Sequence, residues 1–527
     1  MCAENQENKR KEEGERTMNT GIDRDELEDS NPILFEISDE ESLYVVKHKG
    51  KVCVCGNSCP HHGAPLTKGN FNNGVIECPW HNAKFDVTTG EVLHPPARDN
   101  LPVYDVLDTE GEIRVGNKQR KRVSIPSGED ARKVLILGAG AAGTMAAETL
   151  RKEGFSGDIT LISKEEDLPY DRTTLSKAFL SGEIPEKYLS LRNQEFYDSL
   201  KIDLCLGDTV VSLDENSKTL FFNSGDSMKG DMILLATGGT PKTLNIEGLP
   251  HEKVFTLRSK KDAKRIKETA ASCKSCFILG ASFIGLEAAS SLTNLGLNVT
   301  VAAPESIPLE LVLGKTMGQK IEKLHKSRGV EFHMETTAKR ISDSGKEIKV
   351  MLSDGTEVST DMIIIGIGII PVTDYLKNST LLDKGVVLVD ENLQTSVEGI
   401  YAAGDIALYP NALFGEDQRV EHWVAAETQG QKAARSMLGK RGPYKELPFF
   451  WTMQHNKPLK YIGYVKDPDT IVSRGDPEKG PFYTGYYKDG TLKAVAGYLD
   501  GNEMHAFSEI LKSYKDLSPE EFSSKNL

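Results

Sequence analysis

Cys59-Pro60-His61 and, sixteen residues further on, Cys78-Pro79-Trp80-His81 each supply one thiolate and one imidazole. A C-x-H…C-x-x-H spacing is what a Rieske 2Fe–2S centre requires, with two Cys on one iron and two His on the other. A Cys2His2 count also fits a zinc ion. Zinc fingers usually group both Cys ahead of both His, whereas Cys and His alternate here. Cys59, His61, Cys78 and His81 are therefore the candidate metal ligands. A Rieske centre carries electrons, and two nucleotide-binding fingerprints later in the chain point to a source for them.

Around these clusters, residues 32–116 alternate short apolar strands with turns at Gly50, Gly56, Gly63, Gly69, Gly74 and Gly90. That pattern predicts a small all-β module. Within Lys51–Cys55 the period of two places Cys53 and Cys55 on one face and Val52 and Val54 on the other. Those two Cys read as core or surface residues rather than ligands, and His62 as a polar loop residue. The flanks His62-Gly63-Ala64-Pro65-Leu66 and Asn82-Ala83-Lys84-Phe85-Asp86 resemble the cluster-binding loops of Rieske ferredoxins.

Residues 1–31 are rich in Glu, Asp, Asn and Lys and read as a disordered acidic tail. They lack the apolar segment of a secretory signal, their acids argue against a mitochondrial presequence, and Met1-Cys2 offers no myristoylation glycine. Residues 117–130, polar and partly basic with Pro126 and Gly128, read as a linker.

The apolar run Lys133–Leu137 leads into Gly138-Ala139-Gly140-Ala141-Ala142-Gly143, an Ala-rich helix to about Glu153 and a second strand at Ile159–Ile162. This is a βαβ unit with G-x-G-x-x-G at its first turn. Gly138, Gly140 and Gly143 let the backbone turn and approach a pyrophosphate at the helix N-terminus, and Glu165 is placed for a ribose. A second unit starts at Cys276–Leu279 and turns through Gly280-Ala281-Ser282-Phe283-Ile284-Gly285. Its helix runs through Leu295 to the strand Asn298–Ala302. Ser282 stands at the middle glycine position, where its Cβ crowds a pyrophosphate and its hydroxyl is a candidate donor to it. Further strand-and-turn signals lie at Asp361–Gly368 and Ile400–Asp405. After Gly442-Pro443 the character changes to strands such as Tyr461–Val465 and Ala494–Leu499, with a helix near Glu503–Tyr514.

At 527 residues the chain is long enough for three or four domains. A formal net charge of −14 argues against nucleic acid or an anionic membrane as partner, and an acidic surface suits a basic redox protein. The longest apolar run, Met362–Val372, is broken by Gly366, Gly368 and Pro371 and falls short of the ~20 residues of a membrane span. Cysteine usage and the iron site argue for a reducing, intracellular compartment. Cys273-x-x-Cys276 enters the buried strand of the second fold and reads as structural.

With these residues laid out, the chain resembles the Rieske-containing branch of the apoptosis-inducing-factor-like flavoprotein reductases over about residues 35–520. The resemblance rests on Gly138–Gly143, Leu168-Pro169-Tyr170-Asp171-Arg172 with Leu175-Ser176-Lys177, and Ala236-Thr237-Gly238. It also rests on Gly280–Glu287, Ala403-Gly404-Asp405, Glu421-His422-Trp423 and Phe449-Phe450-Trp451. It implies a multidomain fold: the all-β Rieske domain, an α/β reductase with two dinucleotide-binding folds, and an α+β C-terminal domain at 441–527. FAD would occupy 131–252 with 373–440, and NAD(H) 253–372.

The resemblance further implies that Thr237, Gly238 and Asp405 contact FAD, that Arg172 and Lys177 sit near the flavin, and that Lys177 pairs with Glu287. It places Phe283 near the nicotinamide and Trp451 near the flavin, and counts Gly280, Ile284 and Gly285 among the cofactor-binding residues. Thr173 replaces a proline usual in that family and predicts a looser loop. Asn82 replaces a glycine after the second His and tolerates the same left-handed backbone. Ala303 ends the strand that often carries a ribose-binding acid, and Glu305 is the substitute. No Arg or Lys lies between Ala302 and Glu310 to hold a 2′-phosphate, which favours NADH over NADPH.

The function implied is an NAD(P)H-dependent oxidoreductase passing electrons through FAD to the fused Rieske cluster and on to an unidentified acceptor. Alanines at positions 64 and 83 leave the cluster loops without a hydroxyl or disulfide, which predicts the low end of the Rieske range, ~−150 mV. Two other readings stay open. One is the reductase component of an external oxygenase. The other is a redox-sensing or cell-death signalling protein whose turnover is incidental. The tail favours the cytoplasm, and the family association leaves mitochondria open.

Overall fold

The computed structural model describes residues 18–524 except 110, 120–127, 129, 250, 251, 346, 378 and 514–516. The chain divides into two compact units, one reaching Val123 and including Asp500–Phe507, the other formed by Ser124–Leu499 and Ser508–Leu527.

In the first unit a six-stranded sheet runs in the order Met18–Asp23, Glu112–Gln119, Val103–Thr109, Lys51–Gly56, Ser42–His48, Ile33–Glu36. Its strands pair antiparallel, as hairpin connections allow. The alternation expected of Lys51–Gly56 is present. Val52 and Val54 join Leu43, Val45 and Ile113 on one face. Cys53 and Cys55 join Tyr44 and Val46 on the other, around Cys59 and Cys78. A second, four-stranded sheet orders Asn70–Asn72, Val75–Glu77, Lys84–Asp86 and Val92–His94.

The acidic tail expected over residues 1–31 contains a strand. Met18–Asp23 pairs antiparallel with Glu112–Gln119, Met18 opposite Val115. The Thr20 hydroxyl donates to the Ile113 carbonyl at 2.7 Å, and Met18 and Ile22 pack on the core beside Ile113. An edge strand needs only one inward face, so three alternating residues suffice where composition reads as polar. The same sheet carries Glu112–Gln119 into the expected linker, most of whose remaining residues lie outside those described.

The second unit holds two parallel sheets. The first orders Ile202–Leu206, Asp158–Ser163, Lys133–Leu137, Met232–Leu235 and Ile400–Ala402. The second orders Val254–Thr256, Met362–Ile365, Ser275–Leu279, Asn298–Ala302 and Glu331–His333. Their central strands are continuous apolar runs because both faces are covered: in the second sheet Cys276, Ile278 and Ile364 face the helices Lys260–Ala270 and Phe283–Asn294, and Phe277, Leu279 and Ile363 face the antiparallel strands Ala338–Asp343 and Ile348–Leu352.

The helix Ala141–Lys152 packs on Trp423–Met437. A Cβ at Gly430 would lie 2.2 Å from the Ala142 carbonyl, so glycine sets that approach. Buried Arg151, near the helix end, donates to the carbonyls of Phe155, Gly157, Leu200 and Lys201 at 2.7–2.8 Å and anchors it. The C-terminal region forms a five-stranded antiparallel sheet ordered Phe449–Gln454, Lys457–Gly463, Thr491–Gly497, Phe482–Lys488, Thr470–Gly475. The helix Gly501–Ser513 follows it.

Candidate functional site

The two cluster loops share one backbone plan. In the first, the Cys59 N–H donates to Ala64 O at 2.9 Å and the Gly63 N–H to Cys59 O at 2.8 Å. In the second, Cys78 N–H donates to Ala83 O at 2.8 Å and Asn82 N–H to Cys78 O at 3.2 Å. Each loop needs a left-handed residue four places after its Cys, filled by Gly63 (φ 78°) and Asn82 (φ 61°). Asn thus performs the role expected of it. The candidate ligands fall one place apart on this plan, His61 two residues after its Cys and His81 three after its own.

The imidazoles converge, His61 Nδ1 lying 3.1 Å from His81 Nδ1. Cys59 and Cys78 are buried, at 2% and 1% exposure, while His62 is exposed as expected. The Cys78 thiol beside it, reinforced by burial, pushes the Cys59 thiol up. Burial, with His62, His81 and Arg98 close by, pushes His61 well down. The raised Cys59 thiol and lowered His61 imidazole, crowded against Cys78 and His81, make a donor set that an iron centre would fit, taking the thiols as thiolates and the imidazoles as neutral donors.

In the second unit a cavity of about 700 Å³ opens at the carboxyl ends of the first parallel sheet. Gly138, Gly140, Glu165, Arg172, Thr237, Gly238 and Asp405 line it, joined by Arg258 and His422. A Cβ on Gly138 (φ 115°) would lie 2.1 Å from Ala236 O, and one on Gly143 1.9 Å from Gly138 O, whereas Gly140 has nothing within 4 Å. Two glycines therefore permit the turn and the third leaves room for a ligand. Gly140 caps the helix Ala141–Lys152 with no side-chain hydrogen bond, leaving its first N–H groups for a phosphate. His422 Nδ1 is buried without a hydrogen-bond partner and belongs to the same lining. These features fit FAD.

Charges in the cavity are paired. Arg172 reaches Glu165 Oε1 at 2.5 Å, and Arg258 reaches Asp405 Oδ2 at 2.8 Å. Burial pushes the Glu165 carboxyl up, but the Arg172 guanidinium, helped by the Tyr170 hydroxyl and Lys164, outweighs it and holds the group below the usual carboxylate range. Thr237 donates to Val372 O at 2.6 Å. The sequence reading passed over Arg258 and gave His422 no role. The available signal for Arg258 was its place just after the strand Val254–Thr256, at the sheet end where doubly wound folds bind ligands.

Lys177 Nζ lies 2.9 Å from Glu287 Oε2, and Glu287 is 3% exposed. Lys177, Glu287 and Trp451 lie outside the cavity lining. The looser loop expected from Thr173 does not form. Its N–H donates to Asp171 Oδ1 at 2.7 Å, a bond that proline could not make, and its carbonyl accepts from Lys177 Nζ at 2.9 Å. Trp451 is half-buried and stacks on Phe449, with centroids 6.0 Å apart. Phe450 packs against His422 at 4.4 Å and Phe283 at 4.9 Å.

In the second fold, Gly280 (φ 108°) and Gly285 are fixed by close approach, their Cβ positions lying 2.4 and 2.2 Å from the Gly366 and Gly280 carbonyls. The Ser282 hydroxyl, considered above as a donor to pyrophosphate, is turned inward. It donates to Gly366 O at 2.7 Å and accepts from the Gly285 N–H at 3.2 Å, capping the helix Phe283–Asn294. Ile284 is 41% exposed at the mouth of that turn. Glu305 is half-buried beyond the strand Asn298–Ala302, its carbonyl accepting from the Glu335 N–H at 2.9 Å.

Residues 132–430 match the family model described as pyridine nucleotide-disulphide oxidoreductase. The chain belongs to that family. Residues 21–105 match the Rieske [2Fe-2S] domain and residues 449–526 the reductase C-terminal domain. The chain is 34% identical over 488 residues to mouse (Mus musculus) Apoptosis-inducing factor 3, covering 89% of this chain and 80% of that one. It is 32% identical over 379 residues to the ferredoxin–NAD(+) reductase component of the Burkholderia cepacia anthranilate 1,2-dioxygenase system, covering 72% and 93%. The crystal structure of the covalent putidaredoxin reductase–putidaredoxin complex superimposes with a TM-score of 0.71 at 27% identity, covering 75% of this chain and 97% of that one.

The protein is thus a Rieske-containing, apoptosis-inducing-factor-like FAD- and NAD(P)H-dependent oxidoreductase that transfers electrons to an iron–sulfur centre. Among the described residues, no helix is long and apolar enough to cross a membrane.

Proposed function

We propose that this reductase takes hydride from NADH and that its Rieske centre delivers electrons to a separate redox protein. FAD, when bound, supplies the step between a two-electron donor and a one-electron carrier. Gly138, Gly140 and Gly143 seat its pyrophosphate at the helix N-terminus. Glu165 takes the adenosine ribose, Asp405 the ribityl chain, and Thr237 and Gly238 border them. Arg172 and Arg258 hold those two carboxylates. Lys177, fixed by Glu287, supplies a cation to the reacting ring, the electrostatic aid a carrier of negative charge requires. Phe283 and Ile284 border the nicotinamide, and Trp451 lies toward the flavin. Gly280 and Gly285 bring the second turn to the NADH pyrophosphate, and Glu305 takes its adenosine ribose. Cys59, His61, Cys78 and His81 hold the iron pair.

Support for NADH comes from Glu305 and from the absence of Lys or Arg between Ala302 and Glu310. A protein acceptor is supported by the ferredoxin named for the Burkholderia relative and the putidaredoxin bound in the superimposed complex. Ala64 and Ala83, whose carbonyls accept from the Cys59 and Cys78 N–H groups, give the cluster no hydroxyl donor, which supports a potential near ~−150 mV. None of the seven described cysteines is in a disulfide, which supports a reducing compartment such as the cytoplasm.

The observation that carries this reading is the presence of the Rieske donor set and the FAD cavity in one chain. Its test is anaerobic EPR of the purified protein before and after NADH, with flavin absorbance recorded in parallel. Flavin bleaching with a new Rieske signal is expected. Bleaching without that signal, in protein shown to contain iron, would overturn the route.

A further inference from the structure

The ion pair Lys177–Glu287 is the inner end of a longer chain of hydrogen bonds. Glu287 Oε1 accepts from the Thr452 hydroxyl at 2.7 Å. Thr452 Oγ1 accepts from Gln454 Nε2 at 3.2 Å. Gln454 Oε1 lies 3.0 Å from His325 Nε2, and His325 Nδ1 lies 3.1 Å from His455 Nε2. None of the five side chains is more than 6% exposed. The sequence keeps these residues far apart: Glu287 sits on the helix Phe283–Asn294, His325 on Glu310–Lys326, and Thr452 and Gln454 on the strand Phe449–Gln454.

Only one arrangement of protons satisfies every link. A carboxylate accepts only, so the Thr452 hydroxyl donates to it and must accept from the Gln454 amide NH2. The Gln454 carbonyl oxygen then accepts, which fixes His325 as the Nε2–H tautomer. His325 Nδ1 is left as an acceptor, which fixes His455 as Nε2–H too. All four donors therefore point toward Glu287, and chains aligned in this way polarise one another. Burial pushes both imidazoles down, each to about 4; at His325 the Gln454 bond opposes this and His455 reinforces it, and at His455 Arg328 reinforces it. Near neutrality both are neutral and able to act as donor and acceptor. The amide in the middle makes the chain an orienting device and a poor proton path.

The outer end is also held. His455 and Asn456 occupy the tip of the hairpin joining Phe449–Gln454 to Lys457–Gly463, at φ 47° and 61°. The His455 N–H donates to Ser290 Oγ at 2.7 Å, on the same helix as Glu287. A histidine in left-handed backbone at a hairpin tip costs free energy, which its two specific bonds offset.

We propose that Thr452, Gln454, His325 and His455 are positioning residues. They hold Glu287 Oε1 from the C-terminal hairpin and the helix Glu310–Lys326, so that Oε2 presents Lys177 to the flavin in one orientation. This rests on the reading above that Lys177 faces the flavin.

The test uses the full-length, FAD-loaded protein, with flavin bleaching by NADH followed anaerobically by stopped flow. Losing a hydrogen bond to a charged group is worth about tenfold or more. Thr452→Val is expected to lower the limiting rate about tenfold, with the NADH dissociation constant within about twofold of the parent. Thr452→Ser recovers most of that loss. Gln454→Leu, one link further out, lowers the rate about threefold, and in the Thr452→Val background it adds nothing because the chain is already cut. The flavin midpoint potential moves to more negative values in both single variants. Independently of turnover, histidine nitrogen NMR of the apoprotein reads the Nε2–H tautomer at His325 and His455.

An Nδ1–H tautomer at either histidine, or fold-changes that multiply in the double variant, would overturn the proposal. So would an unchanged rate and potential in Gln454→Leu, which carries the kinetic test if Thr452→Val does not fold. Lys177→Met separates the two levels. If it leaves rate and potential unchanged, the flavin-facing reading of Lys177 falls and this inference with it. If it lowers them while the chain variants do not, only this inference falls.

Discussion

Gly63→Val isolates what the cluster loops require of their backbone. Gly63 has φ 78°, and a Cβ built on it would meet nothing nearer than Ser58 Oγ at 3.8 Å. The substitution therefore costs almost no steric clash, and its effect is the cost of a left-handed conformation. That cost is about 1–2 kcal/mol for an L-residue, at its upper end for a β-branched one. At about 2 kcal/mol, the population of loops opened away from the cluster rises roughly thirtyfold. The assay is the rate of cluster loss to an iron chelator at elevated temperature, followed by visible absorbance with iron content measured in parallel. Gly63→Val is expected to lose its cluster about thirtyfold faster than the parent. Gly63→Asn stays within about threefold, because Asn visits this region readily and Asn82 already does so in the sister loop. Equal rates for the Val and Asn substitutions would refute the argument, since the two differ chiefly in tolerance of a left-handed backbone.

Gly143→Ala places a Cβ 1.9 Å from the Gly138 carbonyl and is expected to yield protein with little bound FAD, measured by flavin absorbance per chain. His325 and His422 are each pushed down to about 4 by burial, against an ordinary value of 6.5. Between pH 6.5 and 4 the unfolded chain binds protons that the folded chain does not, so stability falls as pH falls through that window. Calorimetry near pH 5 should find up to about one proton taken up per histidine on unfolding, reduced in His422→Gln; unaltered uptake would count against it. Glu165, held down chiefly by Arg172 against its burial, contributes stability that is present above the ordinary carboxylate value and lost as pH falls through its lowered one. Removing the cation in Arg172→Met should move the acid-unfolding midpoint to higher pH. For the nucleotide, kcat/KM should favour NADH over NADPH, and Glu305→Ala should narrow the ratio.

The fold was legible where periodicity and turn chemistry agree. Lys133–Leu137 with its glycine turn announces a parallel strand and helix, and the alternating Cys and His from Cys59 to His81 announce the Rieske domain matched over residues 21–105. Met18–Asp23 was not legible, because an edge strand pairs through backbone groups that composition does not report. The Ser282 hydroxyl was read toward a ligand because sequence places a donor without its direction; folded, it is consumed by Gly366 and Gly285. Thr173 was read as a loss of rigidity because only the missing proline ring was counted. The N–H gained in exchange finds Asp171. Arg258 and the residues from Thr452 to His455 carry no local motif at all. Their contacts join segments more than a hundred residues apart, a link that single-sequence spacing does not encode.

The one-residue offset between the two cluster loops has a consequence for assembly. In the proposed centre each loop would give its thiol to one metal position and its imidazole to the other, so that each strap would serve both irons. Releasing either strap removes one ligand from both metals at once. Loading and loss of the centre should accordingly be all-or-none, with no long-lived species retaining a single iron, and damage to Pro60 or to Trp80 should read out identically in metal content.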